Sequence, residues 1–278
     1  NGVSLNINKI IKNVLDNENN NQKLFNQDLK IKINLEKVYL DKYNFINELE
    51  GHLFLKDNNL YAANLSSKFS NDNDMKLTIK TENKEKITTL FSSEAKPIVD
   101  RYKFIKGFND GSLDFYSTKK NNITKSTLRI YDFKLKELPA LTKLLTLASL
   151  QGIADLLSGE GIRFNEFEMN FSSKDKMMTI EEIYAIGPAI SIMMNGYIEK
   201  DKVVSLRGTL VPATTINKTI GSIPLLGDIL VGKKSGEGIF GVSFKIKGPP
   251  KKLETSVNPI KSLTPRFITR TLEKIKKN

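Results

Sequence analysis

The sequence has no cysteine and no tryptophan, and it has one histidine, His52. The absence of cysteine excludes disulfide frameworks, thiolate zinc sites and cysteine nucleophiles. A single histidine excludes metal sites built on several histidines, and a Ser-His-Asp triad would have to depend on His52. Because His52 lies in a short apolar run, 51–55, we interpret it as an ordinary strand residue.

Long hydrophobic runs are also missing. No window reaches the roughly 18 uninterrupted apolar residues that a membrane span requires. The first residues, Asn-Gly-Val, form neither an initiator methionine nor a signal peptide. We therefore interpret the chain as a piece of a longer protein.

The 278 residues that are present are 39% apolar and 27% charged, which is enough apolar material for a sizeable core. Lys and Arg number 43 against 31 Asp and Glu, a formal net charge of +12. Such a surface suggests an anionic partner: nucleic acid, anionic lipid headgroups or an acidic protein. Basic residues are not interleaved with an aromatic platform, which argues against a single-strand nucleic-acid binder.

Apolar and polar residues alternate with a period of two over much of the chain. This pattern predicts antiparallel strands with one apolar and one wet face, and turn clusters rich in Asn and Asp separate the runs. We therefore predict a mainly β fold with a few helices rather than a doubly wound α/β fold. The alternating apolar positions are Ile31, Ile33 and Leu35; Met75, Leu77 and Ile79; Ile87, Thr89 and Phe91; and, in the second half, residues from Phe167 to Ile246.

Three segments predict helices. A short amphipathic helix is expected near 97–106, before Gly107. The segment Leu138–Leu157 is apolar around most of a helix circumference, which predicts a helix covered on several sides. A basic amphipathic helix is expected from about Thr264 to Lys277, with Pro265 in its first turn. Such a helix favours a membrane surface or a partner, or packing on the end of the sheet with lysines at its rim.

Motifs that resemble catalytic signatures do not have the context that the chemistry needs. The segment 236–241 matches G-x-G-x-x-G, but its third glycine lies in an alternating run where a dinucleotide site requires a helix. The segment 227–233 lacks the Ser or Thr of a phosphate-binding loop. The carboxylates Glu181–Glu182 and Glu166/Glu168 are expected to point to solvent. We therefore predict no enzyme activity, no cofactor and no metal site.

Several ordered blocks of the second half resemble a known family. The blocks are ALTKLLTLASL at 140–150 running into GIADLLSGEGI at 152–162, GTLVPA at 208–213, GSIPLLGDIL at 221–230, GEGIF at 236–240 and VNPIKSLTP at 257–265. They resemble the AsmA-like C-terminal region of bacterial envelope proteins, and are most similar to the YhdP type. Two departures add charge: Lys233-Lys234 replaces small residues, and Arg266 stands where glycine is usual.

The resemblance implies a β-groove protein of the bridge-like lipid transfer type. It implies a curled antiparallel sheet that forms an elongated apolar groove (β-taco), in the periplasm, with an inner-membrane anchor formed by an N-terminal helix outside this fragment. On this basis, 1–130 is a β-groove segment and 131–278 is the AsmA-like C-terminal region, the two forming one continuous elongated domain. The implied partners are phospholipid acyl chains, a membrane surface at the C-terminal end and an envelope protein, with no nucleic acid.

The residues expected to line the lipid groove come from the alternating runs of the second half. They are Phe167, Met169, Phe171, Ile190, Ile192, Met194, Val204, Leu206, Val242, Phe244 and Ile246. Those expected to contact a membrane or partner are Ile223, Leu225, Leu226, Arg266, Phe267, Arg270 and Lys274.

Two other functions remain open at this point. One is a structural or regulatory envelope scaffold with a core filled by side chains. The other is an anion-binding module for nucleic acid or lipopolysaccharide, which rests on net charge alone.

Overall fold

The computed structural model describes residues 2–6, 28–40, 44–56, 59–69, 73–100, 107–136, 138–148, 150–212, 241–250 and 252–260. Within these ranges the chain forms fourteen strands and three short helices. The strands are β1 Gly2–Asn6, β2 Leu29–Tyr39, β3 Phe45–Lys56, β4 Asn59–Lys68, β5 Asp74–Glu82, β6 Glu85–Ser92, β7 Phe108–Lys120, β8 Ile123–Leu135, β9 Ile162–Lys174, β10 Met177–Ile186, β11 Ile190–Glu199, β12 Val203–Pro212, β13 Gly241–Gly248 and β14 Glu254–Ile260. The helices are α1 Lys96–Val99, α2 Pro139–Leu147 and α3 Gln151–Ser158.

The chain divides into two compact units, Asn1–Ile130 (unit 1) and Tyr131–Asn278 (unit 2), with the boundary inside β8. In unit 1 the strands hydrogen-bond in chain order from β1 to β8, and in unit 2 the order runs from β8 to β14. The predicted fold class, a mainly β chain built on a curled antiparallel sheet, is confirmed. One strand departs from it, since β1 pairs with β2 in parallel.

Tight turns explain why successive strands pair directly. The β5–β6 turn has Asn83 at φ 50° and Lys84 at φ 61°, and the β7–β8 turn has Asn121 at φ 49° and Asn122 at φ 62°. Two consecutive residues with positive φ are typical of a type I′ turn, whose twist matches that of the flanking strands. Asn tolerates this conformation better than most residues, which accounts for the Asn-rich turn signals in the sequence.

The core of unit 1 lies on one face of its first strands. Val38, Ile46, Leu49 and Phe69 are buried together, and partly buried side chains from β2, β4 and β5 pack around them. Because these residues come from strands joined by short connections, a single run of hairpins is sufficient to bury them.

The core of unit 2 combines its sheet with the two helices. Helix α2 lies against β14, and helix α3 lies against β9 and α2. Leu144, Leu145 and Leu157 are at most 2% exposed. Phe133 of β8 stacks on Phe164 of β9, with ring centroids 5.4 Å apart.

The prediction of one continuous helix over Leu138–Leu157 is wrong, because the segment is interrupted between Leu147 and Gln151. The Leu150 N–H donates to the Leu145 carbonyl oxygen at 2.9 Å, a hydrogen bond that closes a helix C-terminus in the Schellman manner. Leu150 then has ψ 48°, outside the helical region. The break lets the two short helices contact different strands, α2 against β14 and α3 against β9.

The face assigned to β6 is also wrong. Ile87, Thr89 and Phe91 were expected to continue the apolar face, but the register sets Leu90 opposite Leu77 of β5. Phe91 therefore lies on the other face and is 40% exposed. The odd positions of β6 are the more apolar set, so alternation selected them for the apolar face, although the register with β5 turns them to the other side.

The two other predicted helices lie partly or wholly outside the described residues. Helix α1 covers Lys96–Val99, and 101–106 lies outside the described residues. The basic helix expected over Thr264–Lys277 also lies outside them.

We expect Leu145→Ala to lower the free energy of unfolding by about 2–5 kcal/mol, because it removes a fully buried side chain and leaves a cavity. Leu147→Ala, at a 45% exposed position of the same helix, should change it by less than about 0.5 kcal/mol. Urea unfolding followed by circular dichroism measures both. Equal losses in the two variants would contradict the placement of α2.

Candidate functional site

The eleven predicted groove residues lie on one face of the unit 2 sheet. Antiparallel register puts Ile192 opposite Leu210, and Leu210 opposite Val242. Since directly opposed residues point to the same side of a sheet, these rows can be followed from β9 to β14. We call this surface the apolar face of unit 2. Its members are Phe167, Met169 and Phe171 of β9; Ile180, Ile183 and Ala185 of β10; Ile190, Ile192 and Met194 of β11; Val204, Leu206, Gly208 and Leu210 of β12; and Val242, Phe244 and Ile246 of β13.

Burial on this face changes along β11 and β12. Ile190 and Leu210 are fully buried, whereas Met194, Val204 and Leu206 are only half-buried. On this face the last pair before the β11–β12 turn is Ile198 opposite Val204, and the final pair of the two strands, Glu199 opposite Val203, belongs to the other face. The face therefore stays apolar up to its hairpin end. One end of the face is therefore filled by side chains, and the other offers apolar surface.

Gly208 leaves space for neighbouring side chains at the centre of the apolar face. A Cβ at this position would lie 2.6 Å from Cζ of Phe244 and 2.7 Å from Cβ of Met194. Both distances are shorter than any normal contact, so the absence of a side chain allows the Phe244 ring to lie across β12. The ring is 3% exposed as a result.

Five residues of the apolar face are not among the eleven predicted groove residues: Ile180, Ile183, Ala185, Gly208 and Leu210. Ile183 and Ala185 follow a register shift in β10 between Ile180 and Ile183, where the alternation changes phase. Alternation with a period of two does not indicate where a bulge lies. Because Glu181 and Glu182 are both polar, the sequence did not show that the apolar side changes from even to odd positions there.

Two glutamates on the opposite face of unit 2 are buried, contrary to expectation. Glu168 and Glu182 were expected to be solvated, but they are 6% and 7% exposed. The Asn170 amide donates a hydrogen bond of 2.8 Å to Oε1 of Glu168, and Asn170 lies opposite Glu182. The pairing of a buried carboxylate with an amide donor meets the need of a buried polar group for a partner.

Unit 1 has an apolar face of its own, whose composition changes in steps. Four rows cross β4 to β7. They are Ser67, Met75, Ser92 and Leu113; Leu65, Leu77, Leu90 and Phe115; Ala63, Ile79, Thr88 and Ser117; and, over β5 to β7, Thr81, Lys86 and Lys119. The second of these rows is wholly apolar, the first and third combine hydroxyls with apolar side chains, and the fourth has two lysines beside the hairpin turns.

Ser117, in the third of these rows, takes part in a hydrogen bond with the next strand. The Ser126 hydroxyl of β8 donates to Oγ of Ser117 at 3.0 Å, and both residues are 7% exposed. In the next row, the Thr81 hydroxyl donates to the Tyr61 carbonyl oxygen at 2.7 Å. The polar part of the face is therefore ordered by its own contacts.

Lys86 and Lys119 lie directly opposite each other on that face. Burial lowers the pKa of the Lys86 ammonium below its ordinary value of 10.5, and the positive charge of Lys119 lowers it further. Like charges opposite each other destabilise a sheet.

Two small recesses of unit 1 lie mainly on its polar face. One of about 290 Å³ is lined by residues that include Gly51, His52 and Asn64, and another of about 240 Å³ includes Phe91, Tyr116 and Arg129. Both fall below the usual range of small-molecule pockets, roughly 300–1,000 Å³. His52 lies in strand β3, as predicted, and its side chain is exposed.

The remaining sequence signals are located as follows. Gly241, the third glycine of the G-x-G-x-x-G match, begins strand β13, so a strand rather than a helix follows the motif. Among the described residues there is no group of three or more His, Asp or Glu side chains that could hold a metal ion. The residues expected to contact a membrane or partner, namely Ile223, Leu225, Leu226, Arg266, Phe267, Arg270 and Lys274, all lie outside the described residues.

None of the helices within the described ranges is long and apolar enough to cross a membrane. No family model, curated protein or solved structure matches this chain.

We expect Lys86→Gln to raise the free energy of unfolding at neutral pH by roughly 0.5 kcal/mol, because it removes a half-buried charge opposite another of the same sign. The pKa of Lys86 is lower in the folded chain than in the unfolded one, so its charge opposes folding below the folded pKa. The gain from Lys86→Gln should therefore be full at neutral pH and shrink as the pH rises through that value.

Urea unfolding at neutral pH and at about pH 10, near the ordinary lysine pKa, measures this effect. Lys80→Gln is the control, since Lys80 is exposed and lies opposite Ile87 on the other face of the same strand pair. A gain of the same size from Lys80→Gln would contradict the interpretation.

Proposed function

We propose that this protein is a non-enzymatic groove protein that binds phospholipid acyl chains and carries lipid between the two membranes of a Gram-negative envelope. The observation that supports this most directly is the continuity of the apolar face of unit 2 across β9 to β13. Such a face needs an apolar partner, because large exposed apolar surfaces are unfavourable in water and mark binding sites.

The half-buried part of that face is the candidate lipid contact. Met194, Val204 and Leu206 present aliphatic surface next to the β11–β12 turn. Each methylene of an acyl chain shielded there would contribute about 0.8 kcal/mol. Binding of this kind needs neither a catalytic group nor a cofactor, and it leaves a polar headgroup free to stay in water.

The cellular setting of the proposal rests on the resemblance to AsmA-like envelope proteins. That resemblance suggests a periplasmic protein anchored to the inner membrane. It also suggests that the C-terminal segment contacts a membrane surface or an envelope protein.

A scaffold without lipid is the alternative function. It is favoured by the filled end of the apolar face, where Ile190 and Leu210 are fully buried. Helices α2 and α3, which contact β14 and β9, add buried leucines to the same unit. In that case the protein would act in outer-membrane assembly through its partners.

The test is mass spectrometry of lipid extracted from the detergent-free protein. We expect stoichiometric phospholipid in the wild type and loss of most of it in Met194→Asp and in Leu206→Asp. A carboxylate on the half-buried apolar surface would have to be desolvated beside an acyl chain, which costs far more than one methylene contributes. Both positions are open enough for the variants to fold, in contrast to Ile192 and Phe244, which are 6% and 3% exposed.

Ser243→Asp is the matched control. Ser243 neighbours Phe244 in β13 but lies on the opposite face, where its hydroxyl donates an exposed hydrogen bond to the Asn258 carbonyl oxygen. It should retain lipid. Wild-type protein that carries no lipid would favour the scaffold. Folded Asp variants that keep their lipid would contradict the assignment of Met194 and Leu206 to the lipid contact.

A further inference from the structure

Two neighbouring hairpin turns of unit 1 carry a concentrated positive charge. One turn joins β5 to β6, and the other joins β7 to β8. Because Lys86 at the start of β6 lies opposite Lys119 near the end of β7, both turns are at the same end of the sheet. We call the segments 80–86 and 118–125 the lysine rim. Its charged residues are six lysines and two glutamates, a net charge of +4: Lys80, Lys84, Lys86, Lys119, Lys120 and Lys125 against Glu82 and Glu85.

The lysine rim is open to solvent. Five of its six lysines are exposed, and Lys86 is half-buried. The rim supplies +4 of the formal net charge of +12 that the whole chain carries. Lysines elsewhere in unit 1 include several in ion pairs with nearby acids: Lys68 with Glu48, Lys76 with Asp74 and Lys96 with Asp100.

An exposed apolar side chain lies within this charged surface. Ile123 is the first residue of β8, stands between Lys120 and Lys125 in the chain, and is 39% exposed. Lysines around an apolar side chain are typical of elements that bind at a membrane interface, where ammonium groups meet anionic headgroups and the apolar group enters the acyl boundary. The phosphate backbone of a nucleic acid would match the charge but would offer no apolar partner to Ile123.

We propose that the lysine rim docks unit 1 on an anionic phospholipid membrane, with the ammonium groups among the headgroups and Ile123 inserted at the interface. This inference rests on the proposed lipid-carrying function, because a protein that exchanges lipid with a bilayer has to approach it. It adds to that function a docking surface in unit 1 and a preference for negatively charged membranes.

The competing explanation is that these lysines only keep the hairpin turns soluble, as mixed charged surfaces do in general. In that case, every exposed lysine of the chain would contribute alike to membrane attraction through the net charge. Ile123 would also stay in water in the presence of a membrane. The two explanations therefore differ in where the charge has to be and in what surrounds Ile123.

The experiment is co-sedimentation of the full chain with vesicles of phosphatidylcholine alone and of phosphatidylcholine with about 30% phosphatidylglycerol. We expect roughly tenfold tighter binding, or more, to the anionic vesicles, because each lysine near such a surface contributes favourable electrostatic energy. Raising the salt concentration from about 0.1 M to about 1 M shortens the screening length from about 10 Å to about 3 Å and should abolish most of this preference.

Three exposed lysines of the rim can be neutralised together. Lys80→Gln, Lys120→Gln and Lys125→Gln, combined in one chain, should weaken binding to the anionic vesicles roughly tenfold or more. Because these side chains are exposed, the variant should unfold at the temperature of the wild type, which circular dichroism measures.

The matched control combines Lys76→Gln, Lys143→Gln and Lys245→Gln. It removes the same charge from exposed positions outside the rim. Charges held farther from the membrane than the screening length contribute little, so the control should weaken binding by less than roughly threefold.

Insertion of Ile123 can be followed directly, because the chain has no tryptophan. Ile123→Trp introduces a single indole at the rim, and its fluorescence should shift to shorter wavelength when anionic vesicles are added, since the indole leaves water for the interface. Phe91→Trp is the control. Phe91 is 40% exposed but lies five residues along β6 from Lys86, about 16 Å at roughly 3.3 Å per residue, so its fluorescence should not shift.

Four outcomes would overturn the inference. Equal binding of the wild type to the two kinds of vesicle would remove the electrostatic contact, and equal losses in the rim variant and its control would remove the rim. Unchanged fluorescence of Ile123→Trp on vesicles that bind the protein would place the contact elsewhere. Tighter binding of duplex DNA than of anionic vesicles would indicate a nucleic-acid surface.

These results are distinguishable from a failure of the proposed function. Protein that carries phospholipid but does not bind anionic vesicles would overturn the docking surface alone. Protein that binds the vesicles through the rim but yields no lipid on extraction would overturn the lipid-carrying function and leave the docking surface in place.

Discussion

The register of the antiparallel strands is the constraint on which the rest of this structure depends. Directly opposed residues share a face of the sheet. Apolar residues on one strand therefore meet apolar residues on the next, as Ile192, Leu210 and Val242 do. A slip of one residue would exchange the two faces of a strand. The tight turns at Asn83–Lys84 and Asn121–Asn122 hold that register where they join strands.

Both units have a sheet with one apolar face, but the two faces differ in the residues at their hairpin ends. In unit 2 the apolar face runs to its hairpin end and is filled at the other, with buried leucines on α2 and α3 completing the core. In unit 1 the face becomes polar within a few residues and ends in Lys86 and Lys119.

Much of the fold followed from alternation, and its failures have identifiable causes. Runs such as Phe167, Met169 and Phe171 predicted strands because one side of each run is apolar and the other polar. Strand β6 was assigned to the wrong face because its odd positions, which include Ile87 and Phe91, are the more apolar set. The segment 138–157 was predicted as a single helix because leucines at many positions satisfied a helical period without marking the break after Leu147.

By itself, the sequence determined the mainly β class, the exclusion of cysteine chemistry and the apolar side of each clearly alternating strand, since these depend only on local patterns. The tertiary structure decided which residues meet. Glu168 and Glu182 became buried on the face opposite the apolar one, where Asn170 donates to Glu168, and Ile183 and Ala185 joined the apolar face after the bulge in β10. Lys86 met Lys119 only because β6 pairs with β7, a contact between residues 33 positions apart that no local pattern specifies.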